Sequence, residues 1–184
     1  MEKRIDISHR KPRIVITGPE STGKTILSKE LVANTGGLLV PEYARSFIEK
    51  LDRPYTYQDV ESIAREQIRL RNEYSTQTTK WVFFDTDLII TKVWFEEVYS
   101  IVPDWIEKEI QKNIMDLYLL CSTEPHWVED PVRENGGERR LYLLRRYEQE
   151  LRKYDFPYYV VNGLGKQRFI NALKGLDLLM KSYS

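Results

Sequence analysis

The chain has 184 residues, and its 28 Lys plus Arg balance 28 Asp plus Glu, so the formal net charge is zero. This length suits one domain, and the balance lacks the basic field of a nucleic-acid-binding protein. The single cysteine, Cys121, cannot form an internal disulfide, as is typical of the reducing cytosol. No apolar run reaches the ~18 residues of a membrane span, and no signal-peptide core is present. We expect a cytoplasmic protein with a charged arm, residues 1–12, and one domain, residues 13–184; nothing in the sequence indicates an oligomeric state.

Residues 18–25 read Gly-Pro-Glu-Ser-Thr-Gly-Lys-Thr and fit the phosphate-binding-loop (P-loop) pattern. A β-rich run precedes them and an apolar stripe at helical spacing follows. A strand that enters a helix through such a loop points backbone N–H groups at an anion. We expect Lys24 to reach the outer phosphates of a nucleotide and the Thr25 hydroxyl to bind Mg²⁺. The predicted phosphate contacts are Gly18, Glu20, Ser21, Thr22, Gly23, Lys24 and Thr25. The alternative is a glycine-rich turn that carries a lysine by chance.

Short apolar segments alternate with helix-like segments along the chain. The predicted strands are residues 14–17, 38–40, 81–85, 116–121 and 158–162. Between and after them, helical stripes occur at Val60, Ile63, Ala64 and Ile68, at Leu144, Tyr147, Leu151 and Tyr154, and at Phe169, Ala172, Leu173 and Leu176. This alternation predicts an α/β fold, a parallel sheet with helices on both faces. Ligands should bind beyond the carboxyl ends of its strands.

Charged residues stand where the second and third predicted strands end. Glu42 and Arg45 follow the second strand, and Asp85 and Asp87 end the third. A phosphoryl-transfer enzyme needs a metal ligand and a group that orients the nucleophile. We expect Asp85 to hold Mg²⁺ together with Thr25, and Glu42 to accept a hydrogen bond from a substrate hydroxyl. The alternatives are that either aspartate caps the following helix and that Glu42 pairs with Arg45 for structural reasons.

Residues 124–140 form a charged stretch without an apolar stripe, which predicts an exposed loop. In a kinase, such a loop closes over the nucleotide and brings arginines to the phosphates. We therefore predict a lid in which Arg133, and with it Arg139, contacts ATP. The alternative is a solvated charged loop.

Four blocks together resemble a known family. They are the P-loop, Glu-Tyr-Ala-Arg at 42–45, Asp-Thr-Asp at 85–87 and Trp-Val-Glu-Asp-Pro-Val-Arg at 127–133. In order and spacing the chain is similar to the nicotinamide-riboside kinase domain of the bacterial NAD-biosynthesis and regulatory protein. The resemblance implies a P-loop NTPase fold of the nucleoside- and nucleotide-kinase type, with strand order 2-3-1-4-5 and a lid. It also implies transfer of a phosphoryl group from ATP, with Mg²⁺, to the 5′-hydroxyl of nicotinamide riboside, giving nicotinamide mononucleotide.

The chain departs from the multidomain members of that family. It has no room for their helix-turn-helix and adenylyltransferase domains, so we expect a stand-alone kinase domain. Its only histidines are His9 and His126, so the His-x-Gly-His site of nucleotidyltransferases is absent. Pro41 replaces an expected tryptophan, and Pro131 replaces a glycine of the lid.

The acceptor pocket implied by the resemblance would use Tyr43, Arg45, Asp87 and Trp94. The two aromatic residues offer faces to a cationic pyridinium ring, and Tyr55 and Tyr57 are further candidates for that role or for the core. Two other functions stay open. One is a P-loop kinase for another nucleoside or small alcohol. The other is a nucleotide-dependent regulatory ATPase without a small-molecule acceptor.

Overall fold

The computed structural model describes residues 11–77, 80–129 and 135–183. The predicted lid residues Pro131 and Arg133, and most of the predicted arm, lie outside these ranges. The strands are β1 Arg13–Thr17, β2 Leu38–Val40, β3 Val82–Asp85, β4 Leu117–Cys121 and β5 Tyr158–Val161. The helices are α1 Lys24–Thr35, α2 Tyr43–Ile48, α3 Tyr57–Ser75, α4 Leu88–Tyr99, α5 Asp104–Gln111, α6 Glu138–Lys153 and α7 Gly165–Ser182. The five predicted strands are confirmed to within one residue at each end.

The five strands form one parallel sheet in the order β2-β3-β1-β4-β5. Ile14 of β1 pairs with Phe83 of β3 on one side and with Leu117 of β4 on the other. This confirms the strand order that the family resemblance implied. Because β1 is central, the P-loop that follows it lies in the middle of the carboxyl edge of the sheet.

Each face of the sheet is covered by its own helices. Val15, Phe84 and Tyr118 point to the side of α3, α4, α5 and α6, where they meet Val60, Ile89, Ile106 and Tyr147 in one core. Ile16, Phe83 and Leu119 point to the side of α1 and α7, where they meet Leu27, Leu31, Ala172 and Leu176 in another. Successive strand residues alternate between the two faces, so short apolar strands can build both cores. Within the described residues, no helix has the length and apolar character needed to cross a membrane.

The predicted lid overlaps a helix at its C-terminal end. We expected residues 124–140 to be irregular, but α6 begins at Glu138. The prediction relied on the absence of an apolar stripe before Leu141, but Leu141 is 48% exposed, and the first buried apolar residue of the helix is Leu143. The first turn of α6 instead buries Arg140, which is 6% exposed.

Candidate functional site

The P-loop has the backbone shape that its glycines permit. Gly18 has a φ of 136°, and a Cβ there would lie 2.7 Å from the carbonyl oxygen of Cys121 on β4. Gly23, which precedes α1, has a φ of 75°. Position 18 therefore requires glycine, because its angle and the close approach of β4 both exclude a side chain, whereas the angle at Gly23 only favours glycine. The loop therefore curls tightly against β4 and turns directly into the N-terminus of α1.

The Lys24 side chain folds back onto the start of this loop. Its Nζ donates to the carbonyl oxygens of Gly18 and Pro19, each at 2.9 Å. The buried hydroxyl of Thr22 also donates to Pro19 O, at 2.8 Å. These bonds hold an ammonium group at the N-terminal end of a helix, where the helix dipole also favours an anion. The arrangement is able to bind phosphate groups.

Thr25 and Asp85 are in direct contact. The Thr25 hydroxyl donates to Asp85 Oδ2 at 2.7 Å, while Asp85 Oδ1 is buried and has no hydrogen-bond partner among the described residues. Burial raises the pKa of Asp85, and Lys24 and the Thr25 hydroxyl lower it. An unpartnered buried carboxylate oxygen needs a ligand, because leaving it unsatisfied costs free energy.

These oxygen donors fit Mg²⁺. The ion usually takes only one or two carboxylates from the protein and obtains its other ligands from water and phosphates. The Thr25–Asp85 pair thus has the ligand number and type expected for a magnesium–nucleotide site.

Glu42 is a carboxylate without a side-chain hydrogen bond to any other described residue. It occupies the N-cap position of α2 but makes no side-chain cap bond, and no other side-chain hydrogen bond to it occurs within the described ranges. Burial raises its pKa, Lys24 and Arg45 lower it, and Asp85 and Glu20 raise it. Glu42 therefore lies near enough to Lys24 of the P-loop and to Asp85 for their charges to act on it. Such a carboxylate can accept a hydrogen bond from a hydroxyl group.

Arg45 does not form the structural pair with Glu42 that the sequence left open. Its Nε donates to Glu49 at 2.8 Å, one turn further along the chain, and no ion pair joins it to Glu42 within the described residues. Both partners are about half exposed, with side-chain exposures of 42% and 47%. Arg45 acts on Glu42 only through its charge.

An open pocket lies beside these groups. Its lining includes Pro41, Tyr43, Asp85 and Asp87 at the ends of β2 and β3, so two of the predicted acceptor residues face it. Trp94 and Arg45, which we also expected there, are not among the lining residues. The Trp94 ring instead packs edge-on against Tyr55, at 4.9 Å between ring centroids.

Asp87 combines the two roles that the sequence left open. Its Oδ1 accepts from the backbone N–H of Ile89 at 3.1 Å, so it caps α4. Its Oδ2 accepts from the Tyr118 hydroxyl at 2.8 Å, and its side chain lines the pocket. Burial raises its pKa to about 6, against the two hydrogen bonds and the charge of Arg71, which lower it. Asp87 is both a helix cap and a pocket residue.

Arg140 is a functional candidate that sequence reasoning missed. Its guanidinium donates to the carbonyl oxygens of Glu20 at 3.2 Å, Ser21 at 3.0 Å and Pro125 at 2.9 Å. It thereby joins the P-loop to the segment after β4. The predicted phosphate ligand Arg139 instead donates to Glu97 at 2.6 Å and is 44% exposed.

A signal for Arg140 was present in the helical spacing. Arg140, Leu143 and Tyr147 are all buried, and their i, i+3, i+7 spacing places them on one face of α6. Arg139 is one residue, about 100°, away from that face. Because the first turn lacks apolar residues, the sequence pattern did not show where the buried face begins.

Two further contacts hold the P-loop from the lid side. Glu20 accepts from both the backbone N–H and the side-chain amide of Asn135, at 3.0 and 3.1 Å. The Ser21 hydroxyl accepts from the backbone N–H of Val128 at 2.9 Å. The described residues on either side of residues 130–134 therefore contact the loop, through the same two side chains that were predicted to bind phosphate.

The fold is similar to that of several kinases. NadR protein, solved in complex with NR, has a TM-score of 0.74 and 23% identity, with 94% of this chain and 52% of that chain covered. The chain thus spans about half the length of NadR. Deoxyadenosine kinase from M. mycoides has a TM-score of 0.66 and 17% identity, with 90% of this chain and 99% of that chain covered. Thymidylate kinase from Ehrlichia chaffeensis has a TM-score of 0.65 and 13% identity, with 92% of this chain and 99% of that chain covered.

These likenesses confirm the predicted P-loop kinase fold. They also confirm that the chain resembles the nicotinamide-riboside kinase domain in its fold. The sequence family described as an AAA domain matches residues 13–168, which is most of the 184-residue chain. The match covers the P-loop, Glu42, Asp85 and the whole of α6. The chain belongs to this family of AAA domains.

Proposed function

We propose that the chain is an ATP-dependent kinase that phosphorylates the 5′-hydroxyl of nicotinamide riboside to give nicotinamide mononucleotide. The observation that carries this proposal is the environment of Glu42. It is a partly buried carboxylate with no side-chain hydrogen bond among the described residues, close enough to Lys24 and Asp85 for their charges to shift its pKa. Its chain neighbours Pro41 and Tyr43 both line the open pocket. A hydroxyl group in that pocket would meet an acceptor of its proton beside the phosphate site.

In this proposal each described residue has one task. Lys24 binds the outer phosphates of ATP and stabilises the negative charge that develops during transfer. Thr25 and Asp85 would hold Mg²⁺, which would supply positive charge to the phosphates of the nucleotide. Glu42 accepts the hydroxyl proton as the new bond between the acceptor oxygen and the γ-phosphorus forms and the bond to the ADP oxygen breaks. Arg133 of the lid stays a prediction from the sequence.

The assignment of the acceptor rests on the sequence blocks and on the similarity to NadR. That protein was solved with NR, the usual abbreviation for nicotinamide riboside, and its fold matches 94% of this chain. Tyr43 presents an aromatic side chain to the pocket, and a pyridinium ring gains from such a face by about 0.5 to 2 kcal/mol. The single cysteine is free and buried, which suits an enzyme of the cytoplasm, where we propose that it acts.

A kinase for a different small acceptor is the second candidate. Deoxyadenosine kinase and shikimate kinase, the latter with a TM-score of 0.59, share the fold with the present chain. A regulatory ATPase is less well supported. Such a protein positions a water molecule but needs neither an acceptor pocket nor a hydroxyl acceptor beside it.

Turnover with a panel of acceptors tests the proposal. The purified chain is incubated with ATP and Mg²⁺ and with nicotinamide riboside, adenosine, deoxyadenosine, uridine or shikimate, and both ADP and the phosphorylated product are measured. We expect kcat/KM for nicotinamide riboside to exceed that for the neutral nucleosides by about tenfold. Comparable turnover of neutral nucleosides, or ATP hydrolysis without any phosphorylated nicotinamide riboside, would contradict the assignment.

A further inference from the structure

Thr86 has a backbone conformation that threonine rarely adopts. It follows directly after β3 and has a φ of 75°, in the left-handed region. The other described non-glycine residues with positive φ are Ser21, Ser100 and Asp155, so Thr86 alone among them has a branched Cβ. A branched side chain makes this conformation costly, whereas glycine adopts it freely. The chain therefore keeps threonine at a position where glycine would relieve strain.

Contacts on both sides of Thr86 hold it in this conformation. Its backbone N–H donates to the carbonyl oxygen of Ile16 on β1 at 2.9 Å, so the residue is still joined to the sheet. The next residue, Asp87, accepts from the backbone N–H of Ile89 at 3.1 Å and from the Tyr118 hydroxyl at 2.8 Å. The positive φ is therefore imposed by the sheet and by the cap of α4, and it does not belong to a loose loop.

The positive φ directs the two carboxylates beside Thr86 to different parts of the site. Alternate side chains of a strand lie on the same face, so a longer β3 would place Asp87 on the face of Asp85. Asp85 contacts Thr25 at the start of α1. Asp87 instead contacts Tyr118, which belongs to the core on the opposite face of the sheet. Glycine would permit the same change of direction, so the backbone alone does not account for the threonine side chain.

The hydroxyl group of Thr86 has no hydrogen bond within the described part of the chain. The residue is 7% exposed and lines the open pocket. A hydroxyl with so little access to water usually has a partner, because an unsatisfied polar group costs free energy. A ligand in the pocket would supply that partner. Since Thr86 directly follows Asp85, the predicted metal ligand, it lies at the end of the pocket nearest to phosphoryl transfer.

We propose that Thr86 is an acceptor-binding residue, whose hydroxyl forms a hydrogen bond with a secondary hydroxyl of the acceptor's ribose. This inference rests on the proposed kinase function and adds a contact to its acceptor site. The ribose occupies the transfer end of the pocket because its 5′-hydroxyl must meet Glu42, which leaves the 2′- and 3′-hydroxyls for other partners. A threonine hydroxyl both donates and accepts, as a sugar hydroxyl does. Glycine would relieve the strain but lacks this group, which accounts for the threonine.

Three substitutions separate the hydroxyl group from the backbone strain. Thr86→Val removes the hydroxyl and keeps the branched shape, Thr86→Gly removes the hydroxyl and relieves the strain, and Thr86→Ser keeps the hydroxyl. Dissociation constants for nicotinamide riboside and its 2′,3′-dideoxy analogue are measured by calorimetry, with Mg²⁺ and a non-hydrolysable ATP analogue present. Thr76→Val is the control, because Thr76 is exposed at the end of α3. Melting temperatures and affinities for the ATP analogue confirm that each variant is folded.

We expect Thr86→Val and Thr86→Gly to bind nicotinamide riboside about tenfold more weakly than the wild type, because one hydrogen bond is lost. Thr86→Ser should stay within about threefold of the wild type. For the dideoxy analogue, all these proteins should agree within about twofold, since the analogue lacks the hydroxyls that Thr86 would contact. The control variant should bind both compounds as the wild type does.

Unchanged affinity for nicotinamide riboside in Thr86→Val and Thr86→Gly would overturn the inference. An equal loss of affinity for both compounds would also overturn it, since it would show a change in the shape of the pocket. These outcomes are distinct from failure of the proposed function. If the wild-type protein phosphorylates a different nucleoside, the acceptor assignment is wrong, and the same comparison with that nucleoside and its dideoxy form still tests Thr86. Binding of no riboside at all would overturn both.

Discussion

The two halves of the candidate site are built in different ways. The nucleotide side is one continuous loop, residues 18–25. Its Lys24 donates hydrogen bonds to the carbonyl oxygens of Gly18 and Pro19 in the same loop. The acceptor side collects side chains from residue 40 to residue 118, which belong to separate strands and helices. The first therefore depends on backbone conformation and local sequence. The second depends on how distant elements pack, and so it can vary in specificity while the fold stays the same.

The nucleotide side is not fully local, however. Arg140, 15 residues beyond Pro125, bonds to that residue's carbonyl oxygen and to those of Glu20 and Ser21. Its guanidinium also lies 5.9 Å from the centroid of the Trp127 ring. The first turn of α6 therefore helps to hold Glu20 and Ser21 of the P-loop in position. This link connects the lid region to the phosphate site.

The largest effect expected from any substitution on the nucleotide side is that of Lys24→Ala. Loss of the ammonium group removes stabilisation of the charge that develops on the phosphates, so turnover should fall on the order of 10²-fold or more. The measurement is kcat with nicotinamide riboside, together with the melting temperature. The control is Lys174→Ala on α7, whose side chain is exposed. Near-normal turnover in Lys24→Ala would remove the basis of the proposed function.

Substitution of the two carboxylates at the site, Glu42 and Asp85, should produce two different kinetic defects. Glu42→Gln should reduce kcat about 10²-fold and leave ATP and Mg²⁺ binding intact, because only acceptance of the hydroxyl proton is lost. Asp85→Asn should instead shift the dependence of the rate on Mg²⁺ to higher metal concentration, since Asp85 Oδ1 is the buried oxygen without a partner. Metal titrations of both variants distinguish these effects. The same metal defect in both would show that the roles are not separate.

A smaller effect tests the link between the P-loop and α6. Arg140→Ala should raise the KM for ATP about tenfold, because two loop carbonyls lose their donor and the loop loses a fixed position. Lysine has a single nitrogen and cannot span the same three oxygens, so Arg140→Lys should restore little. Arg139→Ala, with its exposed pair to Glu97, is the matched control and should change KM little. Equal changes at positions 139 and 140 would indicate a diffuse electrostatic role.

The mildest test is the pH dependence. Burial raises the pKa of Glu42 above its usual value of 4.5, and Lys24, Asp85, Arg45 and Glu20 are the charged groups that act on it. The ionised form accepts the proton, so kcat/KM should fall as the pH drops through this raised pKa, at a higher pH than for an exposed glutamate. Profiles of the wild type and of Glu42→Gln measure this. Persistence of the same acidic limb in the variant would assign it to another group.

The sequence by itself determined the strands and the P-loop. Both are local features, since a strand needs a few apolar residues in a row, and the loop needs glycines at positions such as 18 and 23 that adopt positive φ. The strand order came from the family resemblance. It could not come from periodicity, because a residue's hydrophobicity does not show which strand it pairs with.

Only the tertiary structure decided which neighbours of the motifs face the site. Tyr43 lines the pocket whereas Trp94 packs on Tyr55, and Arg140 rather than Arg139 reaches the P-loop. The direction of a side chain depends on the rotation of its helix and on the elements packed against it, and a list of residue types does not contain that information. For the same reason, the contact between Asp87 and Tyr118, 31 residues apart, becomes visible only when β4 and α4 pack together in the folded chain.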